Sequence, residues 1–181
     1  MTENDFNFAE FARPIAPKGK NKKARSLLIL LYVCFALFYI ALFTAVIMIP
    51  QLIAILPLLL WMLVFFTWGK VSYECAVRVS AGTVTLLRLR GKKEECLISF
   101  TAKDAEVIAP YAEKYVENGI LTEAPVWIDH RSDADAIECY YAVIAHEGKK
   151  ATVLFDASDK IIRALYYYNK NTVKDTAYIR A

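Results

Sequence analysis

From Ser26 to Trp68 the chain runs for forty-three residues without a single Asp, Glu, Lys, Arg or His. A water-soluble domain of ordinary size has no place to bury such a run, whereas a bilayer has: one spanning helix takes about 20 apolar residues. Pro50 and Gln51 interrupt the run near its middle. It therefore reads as a transmembrane helical hairpin over residues 26–68, with helices at 27–49 and 52–68 and a very short turn between them. At ~1.5 Å per residue the first helix reaches roughly 34 Å and the second roughly 26 Å, the latter close to the shortest useful span. Pro57 falls early in the second helix, where a missing backbone donor is best tolerated.

Charge then sets the orientation. Residues 1–25 carry Arg13, Lys18, Lys20, Lys22, Lys23 and Arg25 against Glu3, Asp5 and Glu10, while the rest of the chain balances sixteen basic with sixteen acidic residues. Basic residues precede the first helix, none lies between the helices, and Lys70 follows the second. The positive-inside rule places both termini in the cytoplasm of a two-pass protein of the cell (plasma) membrane, with the lipid bilayer as its first partner. The first helix is too long for a signal-peptide core and no small-residue cleavage site follows it, so it reads as a retained anchor. A charge excess confined to the membrane flank gives no nucleic-acid footprint. The spans contain neither ionisable residues nor glycines, which argues against transport. Residues 1–25, where Phe6, Phe8 and Phe11 mix with acids ahead of Pro14, Pro17 and Gly19, read as a flexible basic N-terminal tail.

After the hairpin the hydrophobic period changes to two. Val71, Tyr73, Cys75, Val77 and Val79 alternate with polar or small residues, as in a strand with one buried face. Ser80-Ala81-Gly82 turns the chain into Thr83–Arg90, where a phase slip at Leu86-Leu87 marks a bulge, and Gly91 turns it again into Lys93–Phe100. The expected product is a three-stranded antiparallel meander. Glu106–Ala109 and Val126–Asp129 read as short strands, Tyr111–Asn118 as one or two helical turns, and residues 129–135 as a polar loop. Ile137–His146 and Ala151–Phe155 form a second hairpin, and Asp156 or Ser158 caps a helix with the apolar stripe Ile161, Ile162, Leu165 and Tyr168. The fold class is α+β: a membrane hairpin followed by a small antiparallel β domain at 70–170, closed by a C-terminal helix, with 171–181 as a C-terminal tail.

A meander, a second antiparallel set and one capped amphipathic helix, in that order, resemble the pleckstrin-homology-like fold, in which the last helix plugs one end of a bent sheet. The stretch TVLFDASDKIIRALYYYNKNTV and the segment Asp104–Tyr111 (DAEVIAPY), joined to a two-helix hairpin, are similar to a family of Gram-positive bacterial membrane proteins built on a domain of unknown function. That resemblance implies a fold and no activity.

Chemistry-bearing motifs are scarce. The chain has six glycines, none closer than nine residues to the next, which excludes GxGxxG, phosphate-loop and GxSxG arrangements. Two histidines sixteen residues apart supply no zinc-protease motif, and Cys34, Cys75, Cys96 and Cys139 have neither metal nor redox spacing; they read as small buried hydrophobes in a reducing compartment. Asp129, Asp133 and Asp135 lack the turn glycine and terminal Glu of a calcium loop, and His130 reads as a surface histidine without a paired nucleophile. No catalytic, metal or cofactor-binding residue is expected, and the chain is not expected to be an enzyme. The cluster Arg88, Arg90, Lys92 and Lys93 around Gly91 is the candidate contact for an acidic ligand or anionic lipid head group, although Glu94 and Glu95 follow directly. The expected function is that of a membrane-anchored binding or adaptor domain with a protein partner, the alternative being direct lipid sensing and the lesser alternative an enzyme without a recognisable motif. Only Gly69 and Lys70 separate the hairpin from the first strand, which would hold such a domain at the head-group surface.

Overall fold

The computed structural model describes residues 7–44, 50–111, 124–133, 139–146 and 148–174. The chain forms two units, one made of residues 1–15 and 74–181, the other of residues 16–73. The second unit is thus an insertion in the first.

The inserted unit is a pair of helices, α1 (Gly19–Thr44) and α2 (Pro50–Val71). Both start earlier than the apolar pattern suggests. Lys20, Lys22, Lys23 and Arg25 are good helix formers and extend α1 towards its N-terminus, while Pro50 opens α2, a first-turn position where its missing N–H costs nothing. The expected end of the first helix, residues 45–49, lies outside the described residues. Apolar side chains between Leu27 and Ile40 and between Ile55 and Trp68 are exposed around most of each helix, while Leu28, Tyr32, Phe35 and Tyr39 on α1 and Leu60, Leu63, Val64 and Thr67 on α2 form half-buried stripes. Among the described residues Asn21–Leu42 is long and apolar enough to cross a membrane, and Ile55–Val71 is a shorter apolar stretch. Two polar contacts tie the pair together. The Tyr32 hydroxyl and Thr67 Oγ1 share a hydrogen bond of 2.6 Å, while Thr67 also bonds the Leu63 carbonyl. Arg25 Nε donates to the Val71 carbonyl at 3.1 Å, so the start of α1 meets the end of α2.

The other unit contains two four-stranded sheets and a helix. The first sheet has the order β1-β2-β3-β4, with β1 Phe8–Pro14, β2 Glu74–Ser80, β3 Thr83–Arg90 and β4 Lys93–Thr101, all antiparallel. The meander read from the sequence is present, with its bulge between Leu86 and Leu87. The β2–β3 turn is Ala81-Gly82, both at positive φ, as a tight hairpin demands.

β1 corrects the expectation of a flexible tail over residues 1–25. Ala9 is fully buried and Phe11 packs on the core, while Phe8 and Glu10 point outward. A small Ala inside and a Phe outside hide the alternation, and the strand acquires its identity from a partner far along the chain.

The second sheet has the order β5-β7-β8-β6, with β5 Ala105–Pro110, β6 Val126–His130, β7 Cys139–His146 and β8 Lys149–Asp156. It is not purely antiparallel as expected: β6 runs parallel to β8. The expected helical turns at 111–118 and the end of the polar loop fall, apart from Tyr111, outside the described residues. Helix α3 (Asp159–Tyr168) packs against β1 and β2, and its Ile161, Ile162 and Leu165 are fully buried between the sheets with Val77, Leu86, Ile108 and Phe155. Ser158 is the N-cap by position but makes no side-chain cap bond. After α3, Thr172–Lys174 is not a tail: Ile108 N donates to the Thr172 carbonyl, Lys174 N donates to the Ile108 carbonyl, and Val173 is buried beside β5. Three residues are too few to carry a sequence period.

Candidate functional site

The four basic residues singled out in the sequence do come together at the β3–β4 turn, but carboxylates come with them. Arg88 and Arg90 both reach Glu95 Oε2, at 3.8 and 3.4 Å. One turn of the sheet away, Arg78 forks between Glu10 on β1 and Glu94 on β4, with four nitrogen–oxygen contacts of 3.0–3.2 Å. This hydrogen bonding and the cation behind it hold the Glu94 carboxyl below its ordinary range and raise the Arg78 guanidinium. Lys92 and Lys93 remain exposed at the turn.

The polar residues near Asp129 form a different kind of centre. His130 is buried rather than on the surface, because it closes β6 against β2 and donates from Nε2 to the Ala76 carbonyl at 3.3 Å. Burial pushes its pKa down. Asp156, read from the sequence as a helix cap, is buried and accepts from the Ser132 N–H at 2.7 Å. Arg131 grips both oxygens of Asp129, at 2.8 and 2.7 Å, and lies over the Tyr111 ring. Burial raises the Asp129 carboxyl, but the Arg131 bonds outweigh it and leave it below its ordinary value. Cys75 and Cys139 are buried, as read, and burial pushes both thiols up to about 12, which keeps them protonated and poorly nucleophilic. Cys96 is exposed, contrary to the reading of a buried hydrophobe: it ends the exposed run Lys93–Cys96 of β4, just before the bulge at Leu97. Among the described residues no three His, Cys, Asp or Glu side chains converge as metal ligands. Most of these polar groups are tied to backbone or to one another and hold β6 in place, while Asp156 Oδ1 and Ser132 Oγ are buried with no hydrogen-bond partner among the described residues.

Sequence reasoning missed the feature that β6 presents. Trp127 stacks on His146 with ring centroids 3.6 Å apart and planes within 18°, reaching across β8 to the end of β7. Beside the stacked rings is a cavity of about 700 Å³ lined by Pro125, Val126, Trp127, His146, Lys149, Lys150 and Ala151. Val126 is 44% exposed and Trp127 42%. Lys150 reaches Glu106 on β5 at 2.8 Å, with both side chains half exposed. An exposed Trp beside cations can take an apolar or planar group on its face and an anion at its rim. The signal in the sequence was Val126-Trp127-Ile128, a strongly apolar run on so short a strand.

A family model described as a bacterial PH-like domain (DUF6106) matches residues 11–175. Searches of curated proteins and of solved structures found no match.

Proposed function

The chain belongs to the bacterial PH-like domain family (DUF6106), and on that premise we propose that it is a membrane-anchored binding module. Its helices fix it in the bilayer as a two-pass hairpin, and its PH-like unit docks a protein partner as an adaptor or regulatory subunit.

The anchoring half is supported by strand pairing. β1 precedes the helices and β2 follows them, yet the two are neighbours in one sheet. Both must lie on one side of any membrane, so the chain between them crosses an even number of times. If α1 spans, α2 must bring the chain back; its 22 residues reach roughly 33 Å at ~1.5 Å per residue, with Ile55–Val71 as the apolar part. Cleavage after α1, as for a signal sequence, would strip β1 from its sheet. The Tyr32–Thr67 bond gives each polar side chain a partner where water is absent, and the basic flank at Lys18–Arg25 favours cytoplasmic termini.

The binding half rests on one observation, the exposed Trp127 beside its cavity. The Glu95 ion pairs with Arg88 and Arg90, and Glu94 close beside them on Arg78, reduce the field that a lipid site at Arg88, Arg90, Lys92 and Lys93 would need. A photo-crosslinking residue in place of Val126, in the full-length chain in cells, tests the reading. Protein adducts are expected from position 126 and not from position 103, an exposed turn remote from the groove in sequence. Adducts to lipid alone would favour the lipid-sensing alternative, and so would loss of anionic-liposome binding on changing the four basic residues to Ser.

A further inference from the structure

We propose that the groove at the start of β6 receives an acidic, extended segment of the partner protein, with an apolar side chain of that segment on Trp127 and its carboxylates against Lys149 and Lys150. This deepens the protein-binding reading above and rests on it.

Three observations give the occupant its chemistry. The first is charge: Lys149 and Lys150 line the cavity and, among the described residues, no carboxylate does. Glu106 holds Lys150 from the side, but both side chains of that pair are half exposed, and an exposed pair exchanges partners at small cost. The second is apolar surface. Pro125, Val126 and Ala151 floor the groove and the Trp127 ring borders it, so a purely ionic ligand would leave this surface in water. The third is the sheet edge. β6 ends the order β5-β7-β8-β6, and among the described residues β8 is its one strand neighbour. Edge strands are ordinarily blunted by charge, bulge or cover, because an open edge invites another strand. Here β6 has an irregularity between Val126 and Ile128, and Val126 and Trp127 still stand in solvent. An extended segment satisfies all three features at once, pairing its backbone along the edge while alternate side chains meet the groove.

The test uses the full chain in nanodiscs, panned with a displayed library of random twelve-residue peptides. Enriched peptides are expected to share Asp or Glu close to a large apolar or aromatic residue. Synthetic copies should bind more weakly as salt rises, and at least about tenfold more weakly to Trp127→Ala and to Lys149→Glu, the scale of a hot-spot contact. They should bind Lys103→Glu unchanged. Lys149 is exposed, so Lys149→Glu should leave the melting temperature near that of the parent, which separates lost binding from lost folding even where Trp127→Ala costs stability through its His146 stack. Enrichment without an acidic pattern, binding indifferent to both groove substitutions, or no enrichment at all would overturn the inference. Protein crosslinks from position 126 alongside any of these results would leave the protein-binding reading standing without it.

Discussion

Pro14 and Glu74 stand opposite one another in the β1–β2 ladder, sixty residues apart in sequence, and both apolar helices lie in the chain between them. The pair closes the PH-like unit on itself around an insertion.

The two-pass reading makes a topological prediction. In intact cells Gln51→Cys, in a Cys34→Ser background, should react with a membrane-impermeant thiol reagent, whereas tags at either terminus should be protected. Labelling of both terminal tags from outside would reverse the orientation, labelling of the C-terminal tag alone would show that α2 does not bring the chain back, and protection of both the tags and position 51 would show that the chain does not cross.

Strand β1 should be part of the folding unit. Replacing residues 16–72 by a short Gly-Asn-Ser turn should give a soluble chain that melts cooperatively, because Pro14 and Glu74 are already adjacent. The same chain begun at Glu74 loses the β1 ladder. If only two of its backbone bonds count at ~1 kcal/mol each, the melting temperature drops by roughly 8–16 °C for a domain of about 100 residues. Identical melts would show that β1 adds nothing.

Leu165 is fully buried in α3 among residues from both sheets. Leu165→Ala removes packing on every side, and such a change costs ~2–5 kcal/mol. A soluble chain of the kind just described should show this as a large fall in its denaturant midpoint at an unchanged slope. An unaltered midpoint would mean that α3 does not close the core.

The places where the sequence was readable and where it was not follow from how far each residue's partner lies along the chain. The apolar run, the Thr83–Arg90 bulge, the second hairpin and the α3 stripe are local patterns, written in neighbours two to four positions away. Phe8–Pro14 and Thr172–Lys174 are ordered by partners at Glu74–Ser80 and Ile108, and nothing in their own composition announces it. His130 looked solvated because it is flanked by Asp129 and Arg131, and only the approach of β2 buries it. The basic turn was legible as a cluster with Glu94 and Glu95 beside it, but the pairing of Glu95 with Arg88 and Arg90, and of Glu94 with Arg78, came only with the sheet. The Trp127–His146 stack crosses a strand that lies between them in the sheet, and no spacing rule reports such a contact.

His130 gives the fold a pH dependence of defined sign. Burial lowers its pKa from the ordinary 6.5, and Arg88 lowers it further, outweighing the backbone bonds and Asp156 that raise it. The folded value lies below the unfolded one, so the unfolded chain binds the extra proton first as the solution is acidified. The stability that this neutral ring contributes is present above pH 6.5 and is lost as the pH falls from there towards and through the folded value. His130→Gln keeps an amide donor for the Ala76 carbonyl and cannot charge. Melting curves at about pH 7.5 and about pH 5 should converge for the variant relative to the parent; Asp129, held low by Arg131, titrates below this window. Equal pH dependence in the two proteins would remove His130 as the cause.

The insertion of the helices between β1 and β2 also fixes an order of events during synthesis. β1 leaves the ribosome first and cannot find its partner until Ser80 has been made, a wait of about 3–13 s at ~5–20 residues per second. On the two-pass arrangement both helices pass into the bilayer during that wait. The edge of the first sheet is sealed only in a chain whose hairpin has already returned to the starting side, so completing the PH-like unit becomes a record of successful insertion. A chain caught halfway across would hold β1 and β2 on opposite faces of the membrane, leaving Val77 and Val79 without the strand that covers their edge.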